Sequence, residues 1–214
     1  MIAGIQVKVC GLTRIVDAQA AAAAGADQLG FIFYPPSPRH LGIERYAAIS
    51  AELPRVARVA VCVEPSPVDL ARLAELGFAA FQIHFKADTP HAQVAAWSDT
   101  VGASRLWLAP KLPPAQDVRP EWLALAETFL LDTFHAEKFG GTGETGDWEK
   151  FQRHRLTHPG RNWVLSGGLN PGNVRAAVQA TGAVRIDVNS GVETAPGVKD
   201  AAKLTTLVAA LQGA

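Results

Sequence analysis

The sequence predicts a single (β/α)8 barrel over residues 1–214, and three observations carry that prediction. Short β-branched runs alternate with alanine- and leucine-rich stretches along the whole chain, the pattern of βα units around a parallel sheet. The alternation repeats eight times, and no linker interrupts it. Eight strands joined by right-handed crossovers close on themselves and leave no edge to protect, which favours a barrel over an open doubly wound sheet.

The elements are read in order as follows. A strand is expected over 6–10 (QVKVC) and a helix over 15–24, where alanines dominate and Gly25 stops the helix. The second strand, 28–33 (QLGFIF), precedes a helix over 43–52, and the third, 56–63, precedes one over 67–76 that ends at Gly77. Strand 80–84 and helix 91–98 form the fourth unit, and strand 105–109 and helix 121–126 the fifth. The sixth pairs strand 129–132 with helix 148–154, and the seventh pairs strand 163–166 with helix 171–180. In that last helix Asn170 reads as the N-cap, Pro171 as the first helical residue and Gly182 as the stop. Strand 184–188 and helix 200–212 complete the set. Residues 112–114 and 140–146 read as longer rim loops.

Twenty basic and twenty acidic side chains give zero formal charge, so no global field concentrates nucleic acid or an anionic membrane. An anionic ligand must be held locally. Cys10 and Cys62 both lie in apolar strands, which suits reduced thiols in the cytoplasm better than a secreted disulfide framework. The start, Met1-Ile2-Ala3-Gly4, lacks the basic region of a signal peptide, and no apolar run approaches the ~18 residues a membrane span needs. A cytoplasmic enzyme is expected, acting on a small molecule, with neither nucleic acid nor membrane as partner.

In such a barrel the reacting groups come from the C-terminal ends of strands, where the βα loops share one mouth. The first strand ends in the Cys10 thiol and the sixth ends in the Asp132 carboxyl. Taken singly, a strand cysteine reads as a small hydrophobe, as Cys62 does, and an aspartate after a strand reads as a turn residue. Together on one rim they suggest an acid and a base. A thiol is only a few per cent ionised at neutral pH, so a cysteine base needs a cation nearby. Lys8 shares the inward parity of Cys10, one layer deeper, and strand 8 closes beside strand 1, so a Lys8–Asp187 ion pair is expected below the thiol. An anion site is expected at the turns after strands 7 and 8, Ser166-Gly167-Gly168 and Asn189-Ser190-Gly191, where glycines let backbone amides approach.

The segment VKVCGLTRIVDAQAAAAAGADQLGFIFYPPSPRHL (7–41) closely resembles the start of phosphoribosylanthranilate isomerases. So do LLDT (130–133), GGTGETGDW (140–148), LSGGLNPGNV (165–174) and DVNSGVETAPGVKD (187–200), in order along the whole chain. The resemblance implies a TIM barrel that carries out an Amadori rearrangement without cofactor or metal, in tryptophan biosynthesis. It implies Cys10 as general base, Asp132 as general acid and Arg39, in Ser37-Pro38-Arg39, as the arm for the anthranilate carboxylate. It also implies phosphate binding by Gly167, Gly168, Ser190 and Gly191, with the glycine-rich loop of Gly141 and Gly143 over the same ligand. A phosphorylated small molecule is thus the expected partner, and the chain is expected to be a monomer or a weak homodimer.

The chain departs from the family at three places. Phe85 follows His84 where glycine is usual, Asn189 stands where serine is more usual, and residues 105–119 match poorly. These departures are expected to alter the lining of the anthranilate pocket, with His84 in a supporting position. The alternatives are a non-catalytic barrel that binds a phosphorylated metabolite and another phosphosugar aldose–ketose isomerase. The latter usually carries aspartate where Cys10 stands.

Overall fold

Strands form where branched and aromatic residues crowd together, because these side chains pack well on a pleated surface. In the computed structural model, which describes residues 1–132 and 147–213, eight such strands are β1 (Gln6–Val9), β2 (Gln28–Ile32), β3 (Ala57–Val63), β4 (Ala80–Lys86), β5 (Leu106–Lys111), β6 (Thr128–Leu131), β7 (Asn162–Leu165) and β8 (Arg185–Val188). They close in chain order into a parallel barrel, with β1 paired to β8.

The period of two along each strand divides the core into two parts. Outward residues such as Leu29, Phe31, Ile83 and Phe129 pack under the helices. Inward residues, among them Val59, Ala80, Trp107, Leu130 and Val164, fill the barrel's lower interior. The same inward set ends in Cys10. The apolar filling therefore acts as a floor for whatever projects above it.

Around the barrel lie α1 (Ile15–Ala23), α2 (Ile43–Ile49), α3 (Pro67–Ala74), α4 (His91–Val101), α5 (Trp148–Thr157), α6 (Val174–Thr181) and α7 (Ala201–Gln212). Ser66 caps α3 by accepting from the Asp69 amide, with Pro67 at the first helical position. Asp147 and Asp200 cap α5 and α7 in the same way. None of the helices among the described residues is long and apolar enough to cross a membrane.

Three local expectations are corrected. The helix expected over 121–126 is a single 3-10 turn, Pro120–Trp122. Trp122 is fully buried there, with the Arg119 guanidinium 5.0 Å from its ring and Phe85 packed edge-on at 5.0 Å. One anchored indole replaces the apolar stripe that a helix would need. The helix expected from Pro171 starts at Val174 instead. The Asn170 side chain accepts from the Gly172 amide at 2.8 Å, forming a turn of the Asx kind, and Asn173 takes the cap position. Finally, the strand 8 exit carries an unforeseen hairpin, β9 (Glu193–Ala195) and β10 (Val198–Lys199).

Candidate active site

The register of the barrel seam decides what lies beneath the mouth. Lys8 of β1 pairs directly with Asp187 of β8, and the Lys8 ammonium donates to Asp187 Oδ1 at 3.0 Å. Both side chains are buried, at 1% and 6% exposure, so neither charge has water to fall back on. The Asp187 carboxylate and Cys10 hold the Lys8 proton so firmly that its pKa rises although burial pulls it down. Burial pushes Asp187 up as well, against the pull of Lys8. One shift favours charge and the other neutrality. The 3.0 Å contact decides for the ion pair, because a neutral acid beside an ammonium leaves that ammonium uncompensated.

Cys10 sits directly above this pair. Burial pushes its thiol up, Lys8 opposes burial, Asp187 reinforces it, and Lys199 opposes it from the strand 8 exit. The net direction is up. Room for thiol and ammonium comes from β2, where Gly30 faces them. A Cβ there would lie 2.9 Å from Cys10 Sγ and 3.0 Å from both Lys8 Cε and Nζ.

Above the thiol opens a cavity of about 510 Å³, lined among others by Cys10, Asp132, Arg39, His84 and Ser190. The two proton-transfer candidates, from opposite parts of the sequence, thus meet in one space. Asp132 stands just past the end of β6, immediately before the segment 133–146 that lies outside the described residues. Gly141 and Gly143 fall in that segment.

Gly167 and Gly168 follow β7 with φ of +95° and +60°, a backbone region that glycine adopts without the steric cost a side chain would bring. Gly167, Gly168 and Ser190 line the cavity on this side. Among the described residues, no backbone–backbone hydrogen bond outside the helices and strands engages the amides of Gly167 and Gly168. Gly191 is set back, against the Leu169 carbonyl.

Arg39 is buried and committed on one edge. Its Nε donates to Glu193 Oε1 and Oε2 at 3.0 and 3.1 Å, and its Nη2 donates to Oε2 at 2.7 Å. Glu193 also accepts from the Lys199 ammonium at 2.8 Å and from the Gly197 amide at 3.1 Å. Burial would raise the Glu193 carboxyl, but Arg39 and Lys199 hold it below the usual range. Lys199 continues to Asn189, bonding its carbonyl and Oδ1 at 3.2 and 3.0 Å. Glu193 and Lys199 were not singled out from the sequence. The segment DVNSGVETAPGVKD contains both, and that was the available signal.

His84 lines the cavity beside the buried amide of Gln82, whose Nε2 lies 2.7 Å from His84 Nε2. Burial, with the Lys8 charge beneath, lowers the imidazole to about 4, so it is neutral at physiological pH. Phe85 does not reach the cavity. It faces outward between Trp97 and Trp122, at 5.5 and 5.0 Å, so its departure from glycine alters outer packing and not the pocket as expected. Asn189 does line the cavity. Cys62 is fully buried under the helices, and burial pushes its thiol up to about 12.

Residues 7–210 match the family N-(5'phosphoribosyl)anthranilate (PRA) isomerase. The chain is 38% identical over 207 residues to an N-(5'-phosphoribosyl)anthranilate isomerase of Neisseria meningitidis, covering 96% of this chain and 95% of that one. The crystal structure of the Thermus thermophilus phosphoribosyl anthranilate isomerase superposes with a TM-score of 0.79 at 35% identity, covering 98% and 99% of the two chains. A second isomerase structure, solved with reduced 1-(o-carboxyphenylamino)-1-deoxyribulose 5-phosphate, gives 0.75 at 32% identity over 98% and 100%.

Proposed function

The chain belongs to the phosphoribosylanthranilate isomerase family, and on that premise we propose that Cys10 is the general base and Asp132 the general acid of its reaction. The reaction is the Amadori rearrangement of N-(5-phosphoribosyl)anthranilate to 1-(2-carboxyphenylamino)-1-deoxyribulose 5-phosphate, a step of tryptophan biosynthesis. Substrate and product are isomers, so proton movements alone suffice.

Asp132 protonates the ring oxygen as the furanose opens, and the anilino nitrogen supplies the electron pair that leaves an iminium at C1. Cys10 then removes the C2 proton, giving an enolamine that tautomerises to the aminoketose. The iminium draws electrons from C2, which is why a thiolate is a sufficient base. Lys8 makes that thiolate attainable by opposing burial. Arg39 takes the anthranilate carboxylate, and the amides of Gly167, Gly168, Ser190 and Gly191 take the phosphate, a dianion that zero net charge cannot attract from a distance.

The observation that carries this reading is the convergence of Cys10 and Asp132 on one cavity with Arg39 and the strand 7 and 8 turns around it. The test is a fluorescence assay of phosphoribosylanthranilate consumption. Cys10→Ala and Asp132→Asn should each lower kcat by at least about a hundredfold with KM little changed. Full activity in either variant refutes the role given to that residue.

A further inference from the structure

An arginine that receives a carboxylate usually offers the Nε–Nη2 edge or the Nη1–Nη2 edge of its planar fork. In this chain the first edge is already closed by Glu193, through three contacts of 2.7 to 3.1 Å. We propose that Glu193 is a positioning residue that fixes Arg39 so that its Nη1 side alone meets the substrate carboxylate, making this pocket selective for the carboxylated ring. The proposal rests on the reading of Arg39 given above.

Three observations support it. The Glu193 carboxylate is saturated, with Arg39, Lys199 and the Gly197 amide all donating to it, so it has no capacity left to compete for other donors. Lys199 supplies the second cation that the arrangement requires. Arg39 with Glu193 alone is a neutral pair with no pull on an anion, whereas the triad carries one net positive charge. The path of Arg39 is also narrow. Its Cδ lies 2.7 Å from where a Cβ at Gly11 would stand, and Asn189 Oδ1 lies 2.5 Å from the same point. Gly11 therefore lets the arginine stem and the Lys199-bound asparagine pass side by side.

A held guanidinium loses little freedom when ligand arrives, and its orientation is decided before binding. Glu193 as a mere charge balancer predicts the opposite sign. Removing its negative charge would then expose two cations and tighten carboxylate binding.

The experiment compares two ligands by calorimetry, reduced 1-(o-carboxyphenylamino)-1-deoxyribulose 5-phosphate and the same compound without the ring carboxylate. Wild type should prefer the first. In Glu193→Gln the Kd of the carboxylated ligand should rise about tenfold or more, while that of the other changes less than about twofold. Glu193→Asp keeps the charge and withdraws it by one methylene, and should show the same selective loss at smaller size. It also serves if Glu193→Gln does not fold.

Equal losses for both ligands, or unchanged or tighter binding of the carboxylated one, overturn the proposal. A wild type with no preference between the ligands removes the Arg39 reading and the proposal with it. A wild-type preference that survives in both variants overturns the proposal alone.

Discussion

Replacing Lys8 by methionine tests the buried pair and its effect on the thiol together. Asp187 is 6% exposed and loses its ammonium contact at 3.0 Å with Lys8, so the variant buries a carboxylate without that partner. Breaking such a pair from one side costs about 3–5 kcal/mol. For a chain of this size each kcal/mol moves Tm by about 2–4 °C, so a fall of about 6–20 °C is expected. The double variant Lys8→Met/Asp187→Leu removes both charges and should recover most of that stability, because well-packed apolar replacements of buried pairs are near neutral. Activity should not recover with it. Lys8 is the largest influence opposing burial at Cys10, and a rise of one pKa unit in the thiol lowers the thiolate fraction about tenfold. Thermal unfolding and kcat measured on the four forms give the double-mutant cycle. A Lys8→Met variant within about 1 kcal/mol of wild type would refute the buried ion pair, and a fully active double variant would refute its effect on Cys10.

The pH dependence of the thiol is directly readable. Alkylation of Cys10 by iodoacetamide, taken as wild type minus Cys10→Ala, should be slow at neutral pH and rise to a midpoint above 9.0, the ordinary thiol value, because burial outweighs Lys8. That midpoint should move up in Lys8→Met and down in Asp187→Asn, and a wild-type midpoint below neutrality contradicts the electrostatics. Gly30→Ala places a methyl 2.9 Å from Sγ. It should cost about 1–3 kcal/mol of stability and lower kcat more than KM, since thiol and lysine shift while the phosphate turns do not; unchanged kcat in a folded variant would show that the slot is not needed. Cys62, with a folded value of about 12 against 9.0 unfolded, contributes stability that is complete below about pH 9 and lost as pH rises towards 12. Urea melts near pH 10.5 should therefore show wild type losing about 2 kcal/mol more than Cys62→Val, relative to pH 7, and equal losses would exclude Cys62 as the cause.

Legibility followed the length of the pattern. Eight strands were readable because each is long enough for apolar runs to stand out, and the Lys8–Asp187 contact was readable because inward parity and the closing of β8 on β1 need no side-chain detail. The turn at Pro120–Trp122 was misread because leucine and alanine content imitates a helix, while a single buried tryptophan under Arg119 does the anchoring. The start of α6 was misplaced because Asn170 followed by Pro171 reads as a cap and first helical residue, whereas Asn170 makes a turn with the Gly172 amide and the helix starts one turn later behind Asn173. The β9–β10 hairpin has strands of three and two residues, too short for any period to show. Its two charged ends, Glu193 and Lys199, carry no signal of their own in the sequence, because the group that gives them a role, the cavity-lining Arg39 bonded to Glu193, is far away along the chain.

That hairpin also resolves how a chain with zero formal charge can gather an anionic ligand. Around the strand 1 and strand 8 ends stand three buried cations, Lys8, Arg39 and Lys199, against two buried carboxylates, Asp187 and Glu193. The surplus is one positive charge, placed where water is excluded and screening by salt is weak. Distributing the same charges over the surface would leave the total unchanged and the field at the cavity small. Each carboxylate has a second task besides limiting that surplus. Asp187 keeps Lys8 beneath the thiol, and Glu193 keeps Arg39 turned to the mouth. Neutralising either one to strengthen the field would release the cation it holds. The field and the geometry therefore come from the same five residues and cannot be tuned separately.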